Sequence, residues 1–384
     1  LKIKDQIKYF NSILYMKIYF IGQKGIPAKS GGVEKHVEAL TTNLAKQGQE
    51  VFVYTRPNYT DKKLTTYQGV RLISRPSLPT KHLDAFSHTL LCSLDVLFRR
   101  ADVVHFQAIG PASLLWLVKL LKPKTKVIFT FHCQDYYHQK WGRLARWYLR
   151  LGEKIGCRLA DEVIAVSHGL VDYIAKTYGR QARYVPNGVA LDGYGENSDI
   201  LQALDLRPQK YILAVSRLVR HKGLQHLIKA FKNIKSDYNL VIVGAAAHTD
   251  DYVAELKELA ADDARIIFAG EQSGDNLAQL FSQAGLFVQP SESEGLSVAL
   301  LEAMAYGLPV LVSDIPENLE AVGGCGWSFA NKDVADLTVK LQQWLDKPES
   351  GQELAKQAQN RVNSEYNWQN ITISTLKIYQ LSQA

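Results

Sequence analysis

The 384-residue sequence is short of several features that would each have pointed to a function. It has only four cysteines, Cys92, Cys133, Cys157 and Cys325, with neither metal-ligand spacing nor a pairing pattern. That argues against a disulfide scaffold or a structural zinc site, and the expectation is reduced thiols in a cytoplasmic protein. No apolar run approaches the roughly 20 residues needed to cross a bilayer. The nearest, Ala112 to Leu121, is shorter and carries Lys119. No secretory signal is read, because the apolar stretch near Met16 has no small-residue cleavage site. There is no Asp-x-Asp, the common carboxylate pair for a metal-held diphosphate. The glycine spacing does not fit Gly-x-Gly-x-x-Gly, which weakens a nicotinamide-cofactor reading. No helix-turn-helix, zinc-finger or aromatic RNA-binding signature is present, so no nucleic acid partner is expected.

What is present has the balance of a folded globular protein, with 46% hydrophobic and 22% charged residues. The length suits two domains. The net charge of +7 hides an asymmetry: residues 1–186 carry 29 Lys and Arg against 13 Asp and Glu, and the remainder carries 16 against 25. The first half is therefore expected to face something anionic, such as lipid headgroups or a phosphorylated acceptor. Short β-branched runs alternate with amphipathic stretches, the pattern of parallel sheets flanked by helices. In the first half these runs are Lys17–Ile21, Val51–Tyr54, Val70–Ile73, Val103–Phe106, Val127–Phe131 and Val163–Val166, with Glu34–Gln47 the clearest helix. A second series runs through Tyr211–Val215, Leu240–Val243, Ile266–Ala269, Leu286–Gln289 and Val310–Val312. Helices are expected at Gln225–Lys235, Ser297–Ala305 and Asp336–Leu345. The predicted architecture is α/β, with domains at 16–186 and 187–384 facing each other across a cleft. Residues 1–15 form an extension, and the last helix, about 366–384, is a candidate for packing back on the first domain.

Ligands of open α/β sheets collect beyond the carboxyl ends of the strands, and three motifs fall there. Gly22-Gln23-Lys24-Gly25 through Gly31-Gly32 follows the first strand and opens a helix. It can bring backbone N–H groups to a diphosphate or sugar, or it is merely a tight turn. Arg217 and Lys222 flank the turn after Tyr211–Val215. Two fixed cations there can neutralise a leaving diphosphate in place of a divalent metal. The third motif is Glu292-Ser293-Glu294-Gly295-Leu296-Ser297, running into the helix that carries Glu302. Glu294 can accept hydrogen bonds from sugar hydroxyls and Glu302 from a ribose diol, while the helix N-terminus between them addresses phosphate.

Glu294 and Glu302 have the Glu-x7-Glu spacing of the retaining GT-B glycosyltransferases, and the chain resembles glycosyltransferase family 4. The matching pieces run through most of its length: the glycine-rich entry, Asp102-Val103-Val104-His105, Val166-Ser167, Pro186-Asn187-Gly188-Val189, Arg217 with Lys222-Gly223, and Gly307-Leu308-Pro309-Val310. Gly25-Ile26-Pro27-Ala28 and Lys140-Trp141-Gly142-Arg143 resemble bacterial enzymes of exopolysaccharide or O-antigen synthesis. The resemblance implies a GT-B fold of two Rossmann-like domains, the second holding a nucleotide diphosphate sugar such as a UDP-sugar, the first an acceptor. It assigns Arg217 and Lys222 to the diphosphate, Glu294 to the donor hexose and Glu302 to the ribose. Gly31, Gly32, Gly295, Leu296 and Ser297 would lie at the donor, and His132 matches the family's histidine near the sugar. The implied reaction retains the anomeric configuration, uses no protein nucleophile and needs no cofactor or metal. Gly244 and Arg265 are weak candidates for nucleobase contact. Alternatives are a nucleotide-sugar epimerase or phosphorylase on this architecture, or a non-catalytic nucleotide-sugar-binding protein.

Lys140, Arg143, Arg146, Arg150, Lys154 and Arg158 recur at steps of three and four, within a stripe of about 120° on a helix. Trp141, Trp147 and Tyr148 are interleaved. Such a helix can rest on an anionic membrane surface or be an ordinary solvated face. With a saccharide or lipid-linked acceptor, the expected location is cytoplasmic, either free or peripheral on the inner face of the cytoplasmic membrane.

Overall fold

Two stacks of near-continuous apolar strands decide the architecture, because strands buried on both faces need helices on each side. The computed structural model describes residues 15–29, 31–80, 83–137, 142–189, 199–246 and 249–381. It divides into one unit of residues 1–166, 170–185 and 371–384 and another of residues 167–169 and 186–370. The expected extension lies outside the described residues except for Tyr15, whose hydroxyl donates to Glu50 Oε2 at 2.6 Å. Lys140 and Trp141 also lie outside them.

The first unit holds β1 (Lys17–Ile21), β2 (Glu50–Thr55), β3 (Thr66–Tyr67), β4 (Val70–Ser74), β5 (Val103–Gln107), β6 (Lys126–Phe131), β7 (Glu162–Ala165) and β8 (Arg183–Tyr184). Their order is β3-β4-β2-β1-β5-β6-β7-β8, parallel except for the β3–β4 pair. The chain moves outward from β1 to β4 and then restarts at β5 on the other side of β1, so a topological switch lies between β1 and β5. Gly22 marks that spot. Its φ is +120°, and a Cβ there would run into the Gln107 carbonyl that ends β5. The C-terminal helix Trp368–Gln380 reaches this unit from residue 371 on. Lys126 Nζ donates to the carbonyls of Ile378 at 2.7 Å and Leu381 at 2.5 Å, a cation placed at a helix C-terminus. Tyr379 OH and His105 Nδ1 are 2.6 Å apart within the core.

In the second unit β9 (Tyr211–Val215), β10 (Asn239–Val243), β11 (Ile266–Gly270), β12 (Leu286–Gln289), β13 (Val310–Ser313) and β14 (Trp327–Phe329) form a wholly parallel sheet. Its order is β11-β10-β9-β12-β13-β14. Helix Leu224–Lys232 turns Leu224, Leu227, Ile228 and Phe231 into a core with Ile212, Ala214, Leu240, Leu337 and Trp344, at the spacing of one helical face. The switch point here lies between β9 and β12. Both strands lead into loops that carry expected site residues.

Candidate active site

The loop leaving β9 presses on the loop leaving β12. After Val215 the chain makes a single 3-10 turn, Arg220–Lys222, and reaches Gly223 at φ +71°. A side chain at Gly223 would collide with the carbonyl of Pro290, so this approach requires glycine. Glu292 N donates to the His221 carbonyl at 2.8 Å, joining the loops by backbone. Across the join, Lys222 Nζ lies 2.5 Å from Glu294 Oε1, both side chains largely buried at 13% and 9% exposure. The same oxygen accepts from Gln289 Nε2 and Ser291 Oγ, each at 2.6 Å. A buried carboxylate with three donors is fixed in place. The ammonium has three N–H donors and spends one on Glu294, leaving donors for a further anion.

Gly295, Leu296 and Ser297 are buried beside this pair. Asn187 Nδ2 donates to the Leu296 carbonyl at 3.0 Å and so pins the turn. Ser297 caps helix Val298–Ala305, its hydroxyl accepting from Leu300 N. Glu302 lies half-buried on that helix, and Arg217 is exposed on the loop after β9.

In the first unit the loop from Gly22 to Gly31 is held by two carboxylates of the helix it opens, Gly32–Lys46. Glu34 Oε1 accepts from Lys24 N at 3.1 Å, and Glu38 Oε2 from Ala28 N at 2.6 Å. Gly31, at φ +99°, has its Cα turned to the Glu34 carboxylate, while Gly32 is exposed. An internal acid thus already sits in the positive first turn of this helix. His132 follows β6 and is buried, with Nε2 2.8 Å from Gln107 Oε1 and its ring edge-on to His36 at 4.9 Å. Burial, then the neighbouring His36 and His105, push its pKa well below the usual imidazole range, so the ring is neutral. Gln107 ends β5, between β1 and β6, so Gly31, Gly32 and His132 share the carboxyl end of one sheet.

Residues 30–192 match the model "Glycosyltransferase Family 4", and residues 199–361 match "Glycosyl transferases group 1". The chain belongs to the family 4 glycosyltransferases. It is 24% identical to an uncharacterised glycosyltransferase of Methanocaldococcus jannaschii over 96% of this chain and 98% of that protein. An O-antigen chain mannosyltransferase of Salmonella typhimurium is 33% identical, over 44% of this chain and 46% of its own. Among solved structures, sucrose-phosphate synthase from Thermosynechococcus elongatus superposes with a TM-score of 0.81 at 23% identity, over 95% and 98% of the two chains. Anabaena HepE in complex with UDP-glucose gives 0.79 at 20% identity, over 96% and 100%. The enzyme therefore has the GT-B fold.

Several residues of the glycosyltransferase site escaped the sequence reading. Gln289 and Ser291 ligate Glu294 from just before the motif, but nothing in their spacing distinguishes them from ordinary strand-end polar residues. Glu317, near the start of helix Pro316–Val322 after β13, was also missed. Its carboxyl is pushed above the usual range by burial and by the negative charges of Glu294 and Glu320. Arg265 is a correction. It precedes β11, at the amino end of the sheet, and its guanidinium is committed to Asp263 and to the carbonyls of Ile234 and Ser236. It cannot also reach a nucleobase at the opposite end. Gly244, after β10, does lie at the carboxyl end, against the Ser216 carbonyl.

Proposed function

We propose that this glycosyltransferase moves a hexose from a nucleoside diphosphate sugar to a lipid-linked saccharide, with retention and without a metal ion, in the synthesis of a cell-surface polysaccharide. The observation that carries the reading is the buried Lys222–Glu294 pair at the switch point of the second unit, with Arg217 on the same loop. As the glycosidic C–O bond breaks, negative charge grows on the terminal phosphate. Lys222 and Arg217 stabilise it, and Glu294 orients both the ammonium and the sugar hydroxyls. The acceptor hydroxyl forms the new bond from the face the leaving group vacates and passes its proton to a phosphate oxygen. Glu302 receives the ribose hydroxyls, with Gly295, Leu296 and Ser297 lining the donor. On the first unit, the neutral His132 offers a hydrogen bond to the sugar, and Gly31 and Gly32 let the backbone approach. HepE, solved with UDP-glucose, favours a UDP-sugar, and the Salmonella mannosyltransferase of O-antigen chains favours a surface polysaccharide.

The lipid-linked acceptor is supported by helix Arg143–Leu159. Arg143, Arg146, Arg150 and Lys154 are exposed there, with Leu144 79% and Trp147 62% exposed among them. Apolar side chains held in the open beside cations suit an anionic lipid surface.

The test is incubation with a panel of nucleotide sugars in EDTA. Slow release of UDP or GDP is expected. Glu294→Ala should lower that rate about 10²–10³-fold, the cost of losing a group fixed at developing charge, and His221→Ala should change it little. Equal losses would remove the donor-site assignment. An epimerised donor without release would favour an epimerase, and binding without turnover a non-catalytic role.

A further inference from the structure

Glu292 stands two residues before Glu294, in the same turn, and has no part in the chemistry above. Its surroundings are nonetheless those of a fixed hub. Oε1 accepts from His226 Nε2 at 3.0 Å and from Gln225 Nε2 at 3.1 Å, and Oε2 pairs with Lys332 Nζ at 3.1 Å. Its own N–H is the donor to the His221 carbonyl. Gln225 is held from the far side by the hydroxyl of Tyr252, and Arg220, stacked over Tyr252 at 4.9 Å, pairs with Glu255. Burial opposes ionisation of Glu292, but the hydrogen bonds and charges of His226 and Lys332 prevail and hold its carboxyl below the usual range. At neutral pH it is a carboxylate tied to Gln225 and His226, just after the turn that carries Lys222, while its backbone N–H holds the His221 carbonyl within that turn.

We propose that Glu292 is a positioning residue that sets where the Lys222 ammonium meets the donor's diphosphate. The inference rests on the reading of Lys222 as the phosphate cation. Lys222 has a four-carbon stem, and the place of its ammonium follows the height of the Arg220–Lys222 turn over the loop after β12. Gly223 against Pro290 limits how far that turn can move inward. The Glu292 bonds stop it from lifting outward. A displacement of less than an ångström at such a cation is enough to weaken its hold on a phosphate. Glu292 itself touches neither phosphate nor sugar in this scheme and acts only through Lys222.

The experiment measures, by calorimetry on the full chain, the affinities of UDP, GDP, uridine and guanosine. The variants are Glu292→Ala, Glu292→Gln, Lys222→Ala and the double variant Glu292→Ala/Lys222→Ala. Glu292→Ala is expected to weaken the preferred nucleoside diphosphate roughly ten-fold while leaving the nucleoside unchanged. In the Lys222→Ala background the same change should add nothing, because the residue through which it acts is gone. Glu292→Gln keeps an acceptor for His226 and should recover part of the loss. Equal weakening of nucleoside and diphosphate would overturn the inference, as would full additivity in the double variant. If the wild-type chain prefers no diphosphate over its nucleoside, or Lys222→Ala leaves that preference intact, the reading of Lys222 itself fails. The result for Glu292→Ala then has nothing to act through.

Discussion

His88 lies wholly inside the first unit, with Nε2 3.5 Å from the thiol of Cys92 one helical turn on. Burial and the positive charge of Arg56 lower its pKa to about 4. The sign of its effect on stability follows directly. Above the ordinary imidazole value of about 6.5, folded and unfolded chains both carry a neutral ring and pH is without effect. Below it the unfolded chain takes up a proton that the folded chain refuses until about pH 4, so stability falls across that window. The slope approaches about 1.4 kcal/mol per pH unit for one such group. His105 and His132 are depressed in the same direction by their burial. Denaturant unfolding at pH 7, 6 and 5 should show this loss, and His88→Asn should have a shallower acid slope than the wild-type chain. Identical slopes would mean that His88 is protonated in the folded state. At this scale the chemistry-bearing residues were partly readable. Glu294 and Lys222 stood out because carboxylates and cations beside glycine turns have few structural reasons to be there. Arg265 misled because a strand's two ends look alike in one dimension. Gln289 and Ser291 were invisible because their role is to bind Glu294, a contact only folding creates.

Helix Arg143–Leu159 shows what a pattern of charges leaves out. Its basic stripe is plain in the sequence, but Gly152 and Gly156 in its interior read only as a penalty of about 1 kcal/mol each against alanine. The fold explains them. A Cβ on Gly152 would enter the carbonyl of Ile109, and one on Gly156 would lie 2.7 Å from the Phe129 ring. The two glycines, four residues apart, form one bare strip that lets the helix sit close on the Ile109–Ala112 turn and the sheet. Gly152→Ala should therefore destabilise the protein by about 1–3 kcal/mol despite the gain in helix propensity. Gly169→Ala, where a Cβ meets open space in helix His168–Tyr178, should be neutral or stabilising. Thermal unfolding of both variants decides this, and a gain in melting temperature for Gly152→Ala would refute the close-packing account. The same limit applied to strands. Tyr211–Val215 and Leu286–Gln289 were legible because short, almost wholly apolar runs recurring between amphipathic stretches suit few other places. Trp327–Phe329 was not, since three residues behind Gly323, Gly324 and Gly326 carry no period. Helix Gly32–Lys46 starts two residues earlier than expected because Gly31, at positive φ, completes the turn into it.

Over the whole molecule charge is the organising quantity. Residues 1–186 have a strong excess of Lys and Arg, and the rest an excess of Asp and Glu. The acidic half nevertheless contains Lys222 and Arg217, so in the proposed reaction the donor anion would be drawn by local cations rather than by the field of the unit. The basic half spreads its charge over exposed side chains, including Arg143, Arg146 and Lys154. Such charges act on a surface rather than on a single ligand, each contributing about 1 kcal/mol near an anionic bilayer and fading within a Debye length. The proposed lipid-surface role then makes a linked set of demands. The protein should sediment with vesicles containing anionic phospholipid and not with wholly zwitterionic ones, and raising salt from 0.05 to about 0.5 M should release it. Reversing Arg143, Arg146 and Lys154 to Glu should abolish sedimentation without lowering the melting temperature, because none of the three is buried. Trp147→Ala should weaken binding already at low salt, where the charges are intact, since its apolar contact adds to theirs. Binding that ignores lipid charge, or that survives the triple reversal, would return this helix to an ordinary solvated face and leave the acceptor's lipid anchor without support.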